Sequence, residues 1–313
     1  MKTVVVLGAA GRVGHEIAKA FVGTGWTVHG VARGAKSKSL ASGVVPVEAD
    51  ATDREALIAA CAGADIIVHA LNPLYNEWEA KVMPMAENVL AAAKATGATI
   101  MLPGNVYNFG LEIGMGMTES DAQIASTPKA RIRIEVETLL ADALRDGVRS
   151  IVIRAGDFFG GDKPGTWLDQ LVLAKLSKGI FTWPGPMDLP HAFAYLPDLA
   201  DAFVRVAEER ARLAPFEVVH FAGHTVTGTQ MKQATETAIG RQLVRRGVPW
   251  TLFRMAGIVM PIMGELARMS YLWRVPHSLD GGKLEVLVPD LARTPLVDAM
   301  AACAAPLTLK KAA

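Results

Sequence analysis

Hydrophobic residues in the first half of the chain form short apolar runs that alternate with segments of helical periodicity. The runs predict strands at 3–7, 27–32, 44–47, 66–70, 99–102 and 150–154. Helical spacing follows Gly14 and recurs near 53–62, 76–96 and 129–146. Apolar strands separated by helices are typical of parallel sheets that are covered on both faces. The pattern predicts an α/β fold, a Rossmann doubly wound parallel sheet with helices on both faces.

The pattern changes beyond residue 155. The alternation weakens and prolines become frequent, although 216–223 still has the composition of a strand. We therefore expect a first domain over 1–155 and a smaller C-terminal lobe over 156–313, interleaved with the first and not independent. The most apolar later segment, 255–264, contains Pro261 and is too short to cross a bilayer, so we expect a buried or substrate-lining helix there.

Composition and charge narrow the class of protein. Hydrophobic residues make up 51% of the chain and charged residues 20%, which is typical of a globular protein. Lys and Arg total 32 against 31 Asp and Glu, so the sequence indicates neither a nucleic-acid nor a membrane partner. Cys61 and Cys303 are far apart and outside any metal-binding spacing, which favours reduced thiols, a cytoplasmic location and no metal site. The N-terminal run lacks the pattern of a signal peptide.

Three glycines follow the first predicted strand directly. Gly8, Gly11 and Gly14 form GxxGxxG between that strand and the first helix. In this context the glycines permit a tight turn, close approach of a pyrophosphate and close packing of helix on strand, while the helix N-terminus faces the negative charge. The motif predicts a dinucleotide site; the alternative is a glycine turn without a ligand.

The end of the second predicted strand bears on the choice of cofactor. Binders of NAD usually carry a carboxylate there for the ribose 2′-hydroxyl, whereas this chain has Arg33, followed by Lys36 and Lys38. Arg33, assisted by Arg12, would pair with a 2′-phosphate through its fixed set of donors. NADP(H) is therefore favoured over NAD(H), unless Arg33 is an ordinary surface charge.

Several motifs in this order resemble the extended short-chain dehydrogenase/reductase family, which includes NAD-dependent nucleotide-sugar epimerases and dehydratases. They are GAAGRVG at 8–14, DATD at 50–53, IIVHALN at 66–72, RAGDFFG at 154–160, HAFAYLPDLADA at 191–202 and TPL at 294–296. The resemblance implies that 1–155 is an NADP-binding domain and 156–313 a substrate-binding lobe. The cofactor residues that it implies are Gly8, Gly11, Arg12, Val13, Gly14, Arg33, Asp50, Ala51, Ala70, Leu71 and Asn72. For the substrate it implies Asp157, His191 and Tyr195.

The catalytic residues of that family, a Ser or Thr with Tyr and Lys in YxxxK, are substituted here. Asn105 stands at the serine position, where an amide can still hydrogen-bond a substrate oxygen. Segment 129–137 resembles YxxxKxxxE, with Lys129 in place of Tyr and Arg133 in place of Lys. Arg133 can orient ribose hydroxyls but not titrate. Lys129 is a candidate proton donor or base, unless both side chains belong to a solvated helix face.

Tyr107, just after the fifth predicted strand, is the other candidate acid, with packing in the core or pocket as the alternative. The residues together favour an NADP(H)-dependent oxidoreductase that acts on a carbonyl, alcohol or nucleotide-sugar-like small molecule. A non-catalytic NADP(H)-binding redox sensor is the alternative, because the usual Tyr and Lys are missing. The resemblance also implies a homodimer through a four-helix bundle of the helices at 76–96 and 128–146.

Overall fold

The computed structural model describes residues 2–309, in which the strands form three sheets. The strands are β1 (Thr3–Leu7), β2 (Thr27–Ala32), β3 (Val45–Glu48), β4 (Ile66–His69), β5 (Thr99–Asn105), β6 (Ser150–Ala155), β7 (Asp157–Phe159), β8 (Ile180–Trp183), β9 (His191–Tyr195), β10 (Phe216–Phe221), β11 (His224–Val226) and β12 (Val244–Gly247). The main sheet has seven strands in the order β10-β6-β5-β4-β1-β2-β3, and all neighbours are parallel. The predicted α/β, doubly wound fold is confirmed.

Helices connect and cover these strands. They are α1 (Arg12–Val22), α2 (Arg54–Ala60), α3 (Trp78–Thr96), α4 (Pro128–Asp142), α5 (Leu196–Glu209), α6 (Gly228–Ile239), α7 (Trp250–Ala256), α8 (Pro261–Arg268), α9 (Gly282–Leu287) and α10 (Leu296–Leu309). A short 3₁₀ helix, Val106–Glu112, follows β5. Each predicted helix of the first half is present, with ends that differ by a few residues from the periodicity.

Strand β1 shows why the sheet has a core on each face. Successive side chains of a strand point to opposite faces. Val5 joins the core that packs against α2, α3 and α4. Val4 and Val6 join the opposite core, which includes Ile17 of α1 and Phe203 of α5. A run that is apolar at every position is therefore required here.

Residues beyond the predicted boundary at 155 return to the main sheet. Segment 216–223 was expected in the second lobe, but β10 pairs in parallel with β6 and forms the edge of the main sheet. Helix α5 likewise packs against α1 of the first domain. The chain returns to the first domain because the exposed edge of β6 provides a place for a further parallel strand.

The second lobe has small sheets and a core of its own. Strand β9 pairs with β7 in parallel and with β11 antiparallel, and β12 pairs with β8. Phe159, Phe181, Trp183 and Phe193 are among the buried residues of this third core. The lobe thus lies directly after the carboxyl end of β6, since β7 begins two residues beyond it.

The expectation of one helix at 255–264, buried or substrate-lining, is wrong. The segment spans the end of α7, a turn and the start of α8, and the side chains of Met255, Ile258, Val259 and Met260 are exposed. Apolar composition predicted burial, but the two helices are too short to cover this turn. Among residues 2–309, no helix is long and apolar enough to cross a membrane.

Candidate cofactor and active site

The glycine turn lies between β1 and α1, and its shape depends on missing side chains. Gly8 has φ +78°, and a Cβ there would lie 2.7 Å from the carbonyl oxygen of Ala70. A Cβ on Gly14 would lie 2.4 Å from the carbonyl oxygen of Gly8. The Gly11 N–H donates to the same oxygen at 2.8 Å. Helix α1 begins directly after Gly11, so its N-terminus opens onto a cradle that fits a pyrophosphate.

Arg12 and Val13 form the first turn of α1. A Cβ on Gly165 would lie 2.5 Å from Nη1 of Arg12, which shows that the guanidinium lies against the loop of the second lobe. That Arg12 assists Arg33 stays a prediction, since its guanidinium here lies beside Gly165.

Arg33 and Asp50 lie at the ends of β2 and β3, at the edge where a ribose would sit. Nη1 of Arg33 is 3.5 Å from Oδ2 of Asp50, and both side chains are exposed. The Asp50 carboxylate accepts hydrogen bonds from the backbone N–H and the hydroxyl of Thr52. These bonds, with a smaller contribution from Arg33, lower the pKa of Asp50. Arg33 thus has an exposed carboxylate as its ion-pair partner at this edge.

The residues predicted to form the wall of the cofactor site follow β3 and β4. The Ala70 N–H donates to the Leu7 carbonyl at 3.1 Å, and this holds the segment against the glycine turn. Leu71 is half-buried and Asn72 is exposed. Ala51 is buried, and its carbonyl accepts from the side chain of Asn88 at 3.0 Å. The two walls thus have fixed backbones.

His69, the last residue of β4, was not among the predicted site residues. It is buried, and burial together with the charge of Arg133 lowers its pKa to about 3. Its Nδ1 has no hydrogen-bond partner among residues 2–309. A neutral imidazole therefore lies at the centre of the sheet edge, beside the predicted catalytic residues.

Asn105, Tyr107 and Tyr75 form a connected group at the end of β5. Oδ1 of Asn105 accepts from the backbone N–H of Tyr107 at 3.0 Å. The hydroxyls of Tyr107 and Tyr75 are 2.8 Å apart. Burial raises the pKa of Tyr75, and the same effect raises that of Tyr107 well above its usual value. Both phenols are thus held protonated. Because one hydroxyl donates to the other, one proton of the pair remains for an outside acceptor.

Lys129 is buried in α4 and fully engaged. Its Nζ donates to the carbonyl of Tyr75 and lies 2.8 Å from Oε2 of Glu265 in α8. The ammonium also lies over the rings of Tyr75 and Trp78, 5.0 Å from each centroid. The alternative of a solvated helix face is wrong for Lys129, and its contacts tie α8 to the segment around Tyr75.

Arg133 lies one turn further along α4. Its guanidinium carbon is 4.6 Å above the centroid of Trp78, and burial lowers its pKa. Nε of Arg133 is buried without a partner among residues 2–309. Its charge acts on His69 and Tyr75, as the causes of their pKa shifts show. A donor-rich side chain with an unused donor fits a ligand oxygen at this place.

Asp157 and His191 meet in the second lobe as a buried pair. Oδ2 of Asp157 is 2.9 Å from Nε2 of His191. The imidazole stacks on Trp273, with ring centroids 4.4 Å apart, and touches His277 at 4.3 Å. Nε2 of His277 is buried without a partner in the described part of the chain. After burial and the interaction between the two hydroxyls, the charge of Asp157 also raises the pKa values of Tyr75 and Tyr107.

Tyr195 lies in a different environment from that pair. Its ring is 5.3 Å from Phe159, and a Cβ on Gly160 would lie 2.4 Å from it. Burial raises its pKa to about 12. The side chain belongs to the core of the second lobe, and the structure does not bring it together with Asp157 and His191 in one contact group.

Sequence reasoning missed Tyr75 and Glu265. Tyr75 follows the predicted wall segment at 66–72 by only three residues, so its position after a strand end was an available signal. Glu265 lies far along the chain in a segment interpreted as apolar, and nothing in the local sequence points to Lys129. Lys129 stands at the position of the family's tyrosine, and Tyr75, from another part of the chain, lies next to it.

One group in the described chain has donor atoms within metal-ligand distance of one another: His15, Glu16 and Asp162. Nζ of Lys19 is 2.7 Å from Oδ2 of Asp162 and 4.0 Å from Glu16. The lysine supplies the positive charge that two carboxylates require. The group is an ion-pair contact between α1 and the loop of the second lobe.

Comparison with known proteins agrees with this geometry. Residues 8–105 match a family model described as NAD(P)H-binding. The matched segment contains the glycine turn and strands β2 to β5. Its description agrees with the dinucleotide site that the sequence predicts at that turn. No curated protein sequence shows significant similarity to the chain.

Solved structures share the fold over the full length. A UDP-glucose 4-epimerase from Stenotrophomonas maltophila with bound NAD and formylated UDP-arabinopyranose has 18% identity and a TM-score of 0.79, with 100% of both chains covered. The enzyme WbmH from Bordetella bronchiseptica, in complex with NAD+, has 18% identity and a TM-score of 0.76 over 99% of both chains. A UDP-glucose 4-epimerase from Brucella ovis in complex with NAD has 18% identity and a TM-score of 0.74 over 98% of both. The main sheet and the second lobe together thus have the same fold as these solved structures.

Proposed function

We propose that the protein is an NADP(H)-dependent oxidoreductase of the extended short-chain type that acts on a carbonyl or alcohol carbon. The observation that carries the proposal is the pair of protonated hydroxyls of Tyr75 and Tyr107, 2.8 Å apart beside the unused donor of Arg133. When bound, the nicotinamide supplies or accepts the hydride. The chain has to orient the reacting carbon and handle the proton at the oxygen.

The tyrosine pair takes the role of proton donor in this proposal. Both pKa values are raised, so both phenols keep their protons at neutral pH. The hydroxyl that does not donate within the pair can give its proton to an alkoxide that forms at the substrate oxygen. Asn105 has its Oδ1 held by the backbone of Tyr107, which leaves the amide nitrogen to donate to that oxygen. Tyr75 thus replaces the acid that Lys129 has displaced.

Lys129 is then a positioning residue. Its hydrogen bond to the Tyr75 carbonyl and its ion pair with Glu265 fix the backbone from which the Tyr75 hydroxyl projects. Arg133 offers donors for ribose hydroxyls, the contact that the family makes with its lysine. Arginine keeps the positive charge there but does not take up or release the proton.

The preference for NADP(H) is supported by Arg33. Its guanidinium lies beside Asp50 at the edge of the cofactor cradle and is exposed, and Lys36 and Lys38 are also exposed on the segment that follows. A 2′-phosphate would offer Arg33 a stronger partner than one carboxylate at 3.5 Å.

The substrate is proposed to be a polar small molecule, with a nucleotide sugar as one class. The epimerase from Stenotrophomonas maltophila holds formylated UDP-arabinopyranose. Here the buried pair of Asp157 and His191, with the unpartnered Nε2 of His277 beside it, offers polar groups to substrate hydroxyls.

The proposal is tested by the oxidation of NADPH with a panel of aldehydes, ketones and nucleotide-linked ketosugars. With a substrate that turns over, Tyr75→Phe is expected to lower kcat by about 10²- to 10⁴-fold without weakening NADPH binding, because only the proton donor is lost. Tyr271→Phe removes a hydroxyl from a neighbouring half-buried tyrosine and is the matched control. Full turnover by Tyr75→Phe would contradict the assignment.

A redox-sensing regulator is the second candidate, and one observation favours it. Neither basic residue at the family's Tyr and Lys positions is suited to proton transfer. Lys129 is ion-paired with Glu265, and Arg133 cannot act as a base. A regulator would bind NADPH and NADP+ with different affinities, turn over no member of the panel, and lose nothing in the Tyr75→Phe variant.

Assembly and location complete the proposal. Helices α3 and α4 pack side by side and leave their outer faces accessible, which supports a homodimer through a four-helix bundle. Sedimentation velocity tests this assembly. Cys61 and Cys303 are buried, unpaired thiols whose pKa burial raises to about 12, which supports a reducing, cytoplasmic location.

A further inference from the structure

The helix pair α7 and α8 ends in an apolar tip that projects from the second lobe. Ile258 and Val259 in the turn are 86% and 84% exposed, and Leu252, Met255 and Met260 beside them are also exposed. Soluble surfaces seldom expose so many large apolar side chains within nine residues. We call residues 252–260 the tip. Packing within the folded chain does not account for its apolar side chains, because they are exposed.

The tip stands on a firmly held base. Nε1 of Trp250 donates to the carbonyl of Pro184 at 2.8 Å, and its ring packs against Trp167 and Phe253. A Cβ on Gly257 would lie 2.6 Å from the Cα of Gly264, so the two helices approach each other closely. The exposed side chains are therefore presented by an ordered support and not by a loose loop.

Basic residues surround this support. The sequence between Glu236 and Glu265 has four arginines, at 241, 245, 246 and 254, and no acidic residue. Arg245 and Arg246 are exposed in β12, which leads into α7, and Arg254 is exposed on α7 itself. Lys178 lies near the start of β12, because the Val244 N–H donates to the carbonyl of Gly179 at 2.8 Å.

We propose that the tip enters the interface of an anionic lipid bilayer and that the arginines behind it bind lipid phosphates. Helix α7 has seven residues, about 10 Å of helix, which is comparable to the depth at which apolar faces enter the boundary of head groups and acyl chains. An apolar projection with cations behind it matches both layers of such a surface.

Charge distinguishes this partner from a second copy of the chain. A symmetric dimer through the tip would bring two sets of arginines together without an intervening carboxylate from 237–264, and like charges at an interface disfavour it. The five exposed apolar side chains of the tip would also need a matching apolar surface on a protein partner. A bilayer accepts these side chains without such matching.

The test uses flotation of the full chain with phosphatidylcholine vesicles, with and without phosphatidylglycerol. The chain is expected to float with the anionic vesicles and to be released by salt. The double substitution Ile258→Asp with Val259→Asp is expected to weaken binding about a hundredfold, because two apolar side chains no longer enter the acyl boundary. Arg246→Gln and Arg254→Gln are each expected to weaken it about fivefold.

Val286→Asp is the matched control, since Val286 is 82% exposed on α9, outside the tip, and its substitution is expected to leave binding unchanged. Circular dichroism and thermal melting confirm that each variant is folded. Failure of the natural chain to bind anionic vesicles, or equal binding by the Asp double variant, would overturn the proposal. Self-association that the double variant abolishes, without vesicle binding, would overturn it in favour of a second copy. Neither result depends on cofactor or substrate.

Discussion

The glycine turn and the cluster around Lys129 lie at the same edge of the main sheet, yet different forces hold them in place. At Gly14 a Cβ would meet the carbonyl oxygen of Gly8 at 2.4 Å, so backbone sterics fix the turn within one short segment. Lys129 instead contacts Tyr75 and Glu265, which come from distant parts of the chain. A site that depends on backbone sterics can be predicted from a local sequence motif. A site that depends on contacts between distant residues cannot.

The largest effect is expected where the backbone leaves no room. Gly14→Ala places a Cβ against backbone that cannot move aside, so we expect a loss of stability of about 1–3 kcal/mol and loss of NADPH binding. Thermal melting and nicotinamide fluorescence measure the two effects. Gly23→Ala, at the other end of α1 with φ −62° and its nearest neighbouring atom at 3.4 Å, is the control and is expected to change neither.

The long-range cluster is tested by removing one partner. Glu265→Ala leaves the buried ammonium of Lys129 without its carboxylate, and we expect the free energy of unfolding to fall by about 3 kcal/mol. Arg268→Ala removes the exposed partner of the same glutamate and is expected to cost less than about 1 kcal/mol. Denaturant titration separates them, and equal losses would show that Lys129 does not organise the cluster.

The pH dependence of stability tests whether His69, which lies between the cofactor wall and the cluster around Lys129, is buried in its neutral form. Its pKa is about 3 in the folded chain and 6.5 in the reference state. Below pH 6.5 the unfolded chain binds a proton that the folded chain does not, so stability falls as pH decreases toward 3. The expected slope is about 1.4 kcal/mol per pH unit for this group.

His69→Gln is expected to reduce that slope in denaturant titrations between pH 6 and pH 4. His277→Gln should act in the same direction, because burial lowers the pKa of His277 to about 3 as well. An unchanged slope in both variants would mean that the two imidazoles are hydrated in the folded protein.

Sequence patterns predicted the fold and the residues of the glycine turn, because strand periodicity and GxxGxxG are local. They predicted a second lobe interleaved with the first domain but not the pairing of β10 with β6, since a parallel strand can join a sheet edge after a long excursion. They predicted a buried or substrate-lining helix at 255–264, because composition does not show which face a short helix turns to solvent. Tyr75 was missed because its importance comes from contacts with Tyr107 and Lys129 that only the folded chain creates.

The central claim is that the edge formed by the glycine turn and Arg33 binds NADP(H), and one titration tests it directly. NADPH and NADH are titrated into the protein and into Arg33→Ala, with nicotinamide fluorescence as the readout. We expect NADPH to bind more tightly than NADH, and Arg33→Ala to weaken NADPH binding about tenfold with little change for NADH. Equal NADPH affinity in both proteins would contradict the role of Arg33, and no binding of either nucleotide would contradict the cofactor site itself.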